Sequence, residues 1–234
     1  MRRTLGPMID IAVVDYGMGN LRSVAKALEN VAPEKVIVVT SDPAVIRAAG
    51  RVVFPGQGAM PDCMREMDAR GLRAPLLEAA RDKPFLGLCI GLQMLFERSE
   101  EGDTPGLGLL PGKVVRFPAA LMNGQGERLK VPHMGWNQVY QAMSHPMWDG
   151  IADASRFYFV HSYYVDTPDQ GLVAGTCQYP SSFTCAVARN NIFAVQFHPE
   201  KSQSAGLRLL SNFVSWNGAK RVAVQMLAVP AANV

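Results

Sequence analysis

Apolar and polar positions follow two rhythms along the first half of the chain. "IDIAVVD" (9–15) is a near-continuous apolar run of strand length, and "NLRSVAKALENV" (20–31) repeats its apolar residues at helical spacing. The alternation continues with strands predicted at 35–40, 51–56 and 83–89, and helices at 42–50, 71–82 and 91–99. Short connections between such segments predict a mostly parallel sheet with helices on both faces. After about residue 100 the rhythm changes. Short segments at 113–118, 128–131, 136–140, 157–160, 171–177, 183–188 and 192–197, separated by turns such as "NGQG" and "RNN", predict antiparallel hairpins added to that sheet. A last helix is expected over 204–217, with Ser202 or Ser204 as its N-cap. The fold class is therefore α/β: one domain over residues 8–217, an N-terminal extension at 1–7, and a frayed C-terminal tail at 218–234.

Composition narrows the functional classes. At 234 residues and 48% hydrophobic, the chain has ample material for one core. A net charge of +3 without long basic runs points away from nucleic acid. No apolar run approaches ~18 residues, so no membrane span is predicted. Asp10 interrupts the first apolar stretch, which argues against a signal peptide and for a cytoplasmic protein. Cys63, Cys89, Cys177 and Cys185 form no C-x-x-C pair, so no zinc site or other metal is expected. Cys177 and Cys185 read as a buried pair of reduced thiols.

Cys89 is the exception. In "FLGLCIGLQ" (85–93) it stands between Gly87 and Gly91, where a strand meets a helix. That is the layout of a nucleophile elbow, in which a sharp turn exposes the nucleophile and glycines make room for the bend. The positive end of the following helix would favour a thiolate. A thiol nucleophile needs a base, and "FAVQFHPEKS" (193–202) delivers His198 to a strand end. Pro199 biases His198 toward extended backbone, and residues two apart on an extended segment share a face, so Glu200 is expected beside the imidazole. Cys89, His198 and Glu200 thus compose a nucleophile–base–carboxylate set. "FPGQGAM" (54–60) offers Gly56 and Gly58 as backbone donors for an oxyanion. His133, His145 and His161 read as structural. "DYGMGN" (15–20) imitates a dinucleotide fingerprint, but Arg22 occupies the third glycine position.

Together "GLCIGLQ", "PGQG" and "HPE" resemble the class I glutamine amidotransferases, whose triad is Cys-His-Glu. Within that class, "DYGMGNLRSV", "PGQGAMPDCM", "VPHMGWN", "FYFVHSYYV" and "QFHPEKS" are similar to the glutaminase subunits of imidazole glycerol phosphate synthases, over about residues 8–217. The resemblance implies a flavodoxin-like architecture and no cofactor. It implies hydrolysis of glutamine to glutamate, with ammonia delivered to a separate (β/α)₈ cyclase subunit. That partner makes imidazole glycerol phosphate and AICAR in histidine biosynthesis. Residue by residue, it implies Cys89 as nucleophile, His198 as general base and acid, and Glu200 as its orienting carboxylate. Gly56, Gln57 and Gly58 match the oxyanion strand. Gln93 and Glu101 match side chains that hold the amino-acid end of glutamine, and Ser162 and Tyr163 the backbone that grips its carboxylate. Asn20, Trp136, Tyr158 and Lys201 match positions at the synthase interface. A chain of 234 residues filled by this domain has no room for a barrel of ~250 residues, so the cyclase must be a partner. Two other readings stand beside this one: a stand-alone cysteine hydrolase or γ-glutamyl peptidase, and a non-catalytic regulatory module on the same fold.

Overall fold

The computed structural model describes residues 9–122 and 124–219. The apolar runs of the first half form β1 (Ile11–Val14), β2 (Ile37–Thr40), β3 (Arg51–Phe54) and β4 (Phe85–Leu88). Between them lie α1 (Leu21–Val31), α2 (Pro43–Ala48), α3 (Met60–Ala69) and α4 (Arg73–Asp82). β1 pairs in parallel with β2 and β3, and β3 in parallel with β4. Parallel neighbours require such crossovers, and helices supply them.

The rest of the chain contributes α5 (Ile90–Gln93), β5 (Phe96–Ser99), β6 (Thr104–Pro105), β7 (Leu110–Arg116), β8 (His133–Gln141) and β9 (Ser155–His161). It continues with β10 (Tyr163–Asp166), β11 (Val173–Gln178), β12 (Ser182–Arg189), β13 (Ile192–Val195) and α6 (Gln203–Ser215). The sheet runs β2-β1-β3-β4-β13-β12-β10-β7-β5-β6, with β11 joining β12 to β8, and β8 to β9. β13 is the decisive strand. It returns to the middle of the sheet antiparallel to β12 and parallel to β4, with Val195 opposite Leu88. Two chain segments about a hundred residues apart therefore leave the same sheet edge side by side.

Strand alternation divides the core in two. Ile11, Val13, Leu86, Leu88, Phe193 and Val195 face one layer, where they meet α1 and α6 through Leu28, Leu209 and Phe213. Ala12, Val14, Phe85, Ile192 and Ala194 face the other, against Ile46, Met64 and Leu76 of α2, α3 and α4. Burial of both faces explains why these strands read as continuous apolar runs rather than alternating ones.

The structure departs from the sequence reading in several places. The helix expected over 91–99 is one turn, Ile90–Gln93, after which the chain becomes β5 and pairs with β6 and β7. So short a helix sums few peptide dipoles, and its contribution to a thiolate is correspondingly small. α3 was not anticipated, although Met60, Cys63, Met64 and Met67 recur at helical spacing and are its buried residues. Segment 128–131 forms no strand, only a bridge between Met122 and Arg128. β10 is an unpredicted strand pairing with β7 and β12. Ser202 occupies the N-cap of α6 but makes no capping bond; its hydroxyl is engaged at His198 and Tyr158 instead. The N-terminal extension and nearly all of the C-terminal tail lie outside the described residues; of the tail, Ala219 accepts a bond from the Trp216 indole.

Candidate active site

The carboxyl ends of β3, β4 and β13 converge on a cleft of about 460 Å³. This is where sites in open α/β sheets gather. Cys89 leaves β4 with φ 54° and ψ −110°, a left-handed backbone that a non-glycine residue adopts only when its surroundings enforce it. The enforcement is visible. Cys89 N–H donates to Val195 O at 2.8 Å, tying the turn to β13. A Cβ at Gly91 would overlap the Phe54 carbonyl oxygen, and one at Gly87 would sit 2.9 Å from the Ala194 Cβ. The two glycines let α5 and β13 close in on the elbow. Cys89 is 8% exposed and lines the cleft.

His198 follows β13 in extended backbone (φ −106°, ψ 95°), as its proline neighbour dictates. Glu200 reaches it by a different route from the one expected. Pro199–Lys201 is a 3₁₀ turn, not an extended segment, and it folds the carboxylate back so that Glu200 Oε1 lies 2.9 Å from His198 Nδ1. Both side chains are buried. Ser202 locks the turn: its hydroxyl donates to His198 O at 2.6 Å and accepts from Tyr158 N–H at 2.9 Å. His198 N–H in turn donates to Tyr158 O at 2.9 Å.

The remaining ring nitrogen, His198 Nε2, is buried without a regular hydrogen bond among the described residues, and Cys89 is its neighbour. Catalytic hydrogen bonds are often loose before substrate arrives. Burial alone would lower the imidazole pKa. The pull of Cys89, and then of Glu200, outweighs it and carries His198 up to about 10. The arrangement therefore favours an imidazolium held between sulfur and carboxylate. Burial pushes the thiols of Cys63, Cys177 and Cys185 up, to about 11 for Cys63 and about 12 for Cys177, and holds them as inert core residues.

The segment after β3 forms another wall. Gln57 and Gly58 line the cleft, while Gly56 lies behind them in a small crevice shared with Asn20, His198 and Glu200. Gly56 has no alternative residue: a Cβ there would overlap the Tyr16 hydroxyl. The Gln57 carbonyl accepts from the Cys63 thiol at 3.7 Å. The N–H groups of Gln57 and Gly58 bond to no acceptor among the described residues. The N–H of Ile90, the first residue of α5, lies beside the same cleft and was missed by the sequence reading. The elbow itself was the signal, since the residue after the nucleophile customarily supplies an oxyanion donor.

Gln93, Glu101, Ser162 and Tyr163 all line the cleft. Gln93 Nε2 donates to Tyr163 O at 3.1 Å and to Gln196 Oε1 at 3.0 Å, which leaves its carbonyl oxygen for a ligand. The Glu101 carboxylate accepts from Met60 N–H at 2.8 Å, at the start of α3. Tyr158 and Lys201 stand at the rim, with the ammonium 5.8 Å from the ring centroid. Trp136 packs edge-on against Tyr158 and is 40% exposed, whereas Asn20 sits apart, in the crevice beside Gly56 and Glu200.

His133 and His161 are structural but adjoin the site. Tyr163 O accepts from His161 Nδ1 at 2.8 Å, so His161 Nε2 is the acceptor for His133 Nδ1–H at 2.9 Å. His133 Nε2 in turn accepts from Asn137 at 3.2 Å. The relay requires both imidazoles neutral, and burial lowers them to about 4 for His133 and about 3 for His161. Depressed folded values give a stability contribution that is complete above the unfolded value of 6.5 and is lost as pH falls toward about 4. His198 has the opposite sign, its contribution being complete below 6.5 and lost only as pH rises toward about 10, so it does not offset the acid loss. Thermal melts should show stability falling between those acid limits by on the order of 3 kcal/mol per histidine. His133→Gln should flatten that pH dependence.

Comparison with known proteins identifies the family. Residues 12–216 match the family model of class-I glutamine amidotransferases. The chain is 68% identical over 210 residues to the imidazole glycerol phosphate synthase subunit HisH of Aromatoleum aromaticum, covering 89% of this chain and 99% of that protein. It is 67% identical over 210 residues to the HisH of Thiobacillus denitrificans, covering 89% and 92%. A solved glutamine amidotransferase superposes with a TM-score of 0.65 at 16% identity, covering 88% of this chain and 99% of the other. One from Thermotoga maritima gives 0.57 at 15%, covering 83% and 77%. These two show the fold alone. With the family model spanning nearly the whole domain and near-full-length relatives above 60% identity, the chain belongs to the class I glutamine amidotransferases and, within them, to the HisH subunits of imidazole glycerol phosphate synthase.

Proposed function

We propose that this chain, as the glutamine amidotransferase subunit of imidazole glycerol phosphate synthase, hydrolyses glutamine through Cys89, His198 and Glu200 and passes the ammonia to a (β/α)₈ cyclase partner in the cytoplasm. The observation that carries the mechanism is the thiol at a left-handed elbow, next to an imidazole whose far nitrogen is 2.9 Å from a buried carboxylate. The Cys89 thiolate attacks the side-chain carboxamide carbon. The carbonyl oxygen becomes an oxyanion, for which the N–H groups of Ile90 and of Gln57 or Gly58 are the available donors. His198 gives its proton to the leaving nitrogen, ammonia departs, and a γ-glutamyl thioester remains. The now neutral imidazole takes a proton from water, which attacks the thioester and releases glutamate and the thiolate. Gln93 Oε1 and the Glu101 carboxylate are acceptors suited to the α-ammonium. The backbone at Ser162 and Tyr163 suits the α-carboxylate.

Glu200 holds the imidazole in the tautomer and orientation this sequence of proton transfers needs. Glu200→Gln keeps the shape but permits the wrong tautomer, so kcat should fall by about 10²-fold or more with KM little changed, as steady-state kinetics would record. The partner surface is supported by β8, whose outward residues Met134, Trp136 and Tyr140 are 62%, 40% and 38% exposed. Trp136, Tyr158 and Lys201 then stand where the open side of the cleft meets the partner. The experiment is glutamine hydrolysis by the purified chain alone, with a (β/α)₈ cyclase subunit, and with the cyclase plus its nucleotide substrate. Strong activation by the loaded partner is expected; full activity of the lone chain would favour a stand-alone hydrolase.

A further inference from the structure

Gln196 follows β13 and is fully buried, yet the roles inferred from the sequence leave it idle. Its backbone N–H donates to Cys185 O at 2.8 Å, which fixes its place beside the elbow. Its side-chain orientation follows from its neighbours. Tyr163 O can only accept, so the end of Gln93 that lies 3.1 Å away is the NH₂ group. The same nitrogen lies 3.0 Å from Gln196 and must donate there too, so it meets the Gln196 carbonyl oxygen. The other end of Gln196, its NH₂, is thereby turned to Cys89, with Nε2 at 3.8 Å from Sγ.

We propose that Gln196 is a positioning residue for the nucleophile: its side-chain N–H holds the Cys89 thiolate, while its carbonyl end is anchored through Gln93 to the substrate side of the cleft. A donor aimed at sulfur favours the charged over the neutral form, and does so most in a buried site. His198 supplies charge and a movable proton; Gln196 supplies a fixed donor that never leaves. The anchor is also a reason for Gln93 to spend both of its N–H groups inside the protein. The inference rests on Cys89 being the glutaminase nucleophile.

The test uses the full chain with its cyclase partner and measures two things: the pH dependence of Cys89 alkylation by iodoacetamide, with Cys89→Ala as background, and kcat and KM for glutamine. Gln196→Met keeps length and removes the donor. Its alkylation midpoint should rise by about one unit, as loss of a hydrogen bond to a charged group predicts. Its kcat should fall about tenfold or more, with KM nearly constant. Gln196→Glu keeps the shape and sets a carboxylate beside the sulfur, so its midpoint should rise further; it also carries the test alone if the methionine variant does not fold. Folded variants that alkylate with the wild-type midpoint would overturn the proposal. Undiminished glutamine hydrolysis by Cys89→Ala would instead overturn the reading on which it rests.

Discussion

Cys89→Ala loses glutamine hydrolysis by a factor on the order of 10⁴ or more, while the chain stays folded and still binds its partner. The size of the expected loss follows from the absence of a substitute. Among the described residues Cys89 is the one thiol lining the cleft, and Cys63, Cys177 and Cys185 are buried with their thiols pushed up. His198 without the sulfur has no nucleophile to pair with, and water would have to attack an unactivated amide. The expected cost to folding is small. Alanine inherits the backbone at φ 54°, and the network around the elbow runs through backbone groups, notably Cys89 N–H to Val195 O at 2.8 Å. Partner binding is expected to survive because the exposed Met134, Trp136 and Tyr140 belong to β8, an element separate from the thiol's own turn. Ammonia release, together with co-elution of the two subunits, checks both halves of the prediction.

Gly91→Ala should be the most damaging single methyl in the site. The added Cβ would overlap the Phe54 carbonyl oxygen, and its closest neighbours are backbone atoms and a buried ring, none of which can rotate away. Phe54 ends β3 and immediately precedes the Pro55–Gly58 segment, so relief must displace either the elbow or that wall of the cleft. Overpacking of this kind costs about 3 kcal/mol, or roughly 6–12 °C in melting temperature for a chain of this size. A displacement near 1 Å would also cost about 10²-fold in kcat. Gly124→Ala is the control, since a Cβ there meets nothing within 4 Å, and it should melt and turn over like the wild type. A Gly91→Ala variant that matched this control would show the elbow to be looser than its contacts imply.

The elbow was legible in the sequence because its chemistry and its packing demand the same letters. Gly87 and Gly91 are small because Ala194 and Phe54 pack directly against them, and the strand they adjoin is apolar because both of its faces are covered. His198 and Glu200 could be paired from their spacing, but the path could not: a 3₁₀ turn, fixed by Ser202 and Tyr158, places the carboxylate. Those contacts are tertiary and leave no periodic trace. "GLQMLFERS" misled for a related reason. Its apolar spacing suits a helix, and only pairing with β6 and β7 turns Phe96–Ser99 into a strand. Ser202 looked like a helix cap because Ser caps helices, whereas its hydroxyl fixes the turn that carries Glu200. Gln196 was illegible altogether, since a polar residue at a strand end reads as solvated until its partners Gln93 and Cys89 are seen around it.

The most direct measurement of the central claim is covalent labelling by a glutamine analogue with a diazoketone in place of the carboxamide. Such a compound needs the amino-acid subsite to bind and a thiolate to react. The account predicts stoichiometric labelling of Cys89, loss of glutamine hydrolysis in parallel with labelling, and protection by glutamine, all read from peptide mass spectra and residual activity. Label on another residue, or hydrolysis that persists after Cys89 is fully modified, would contradict it.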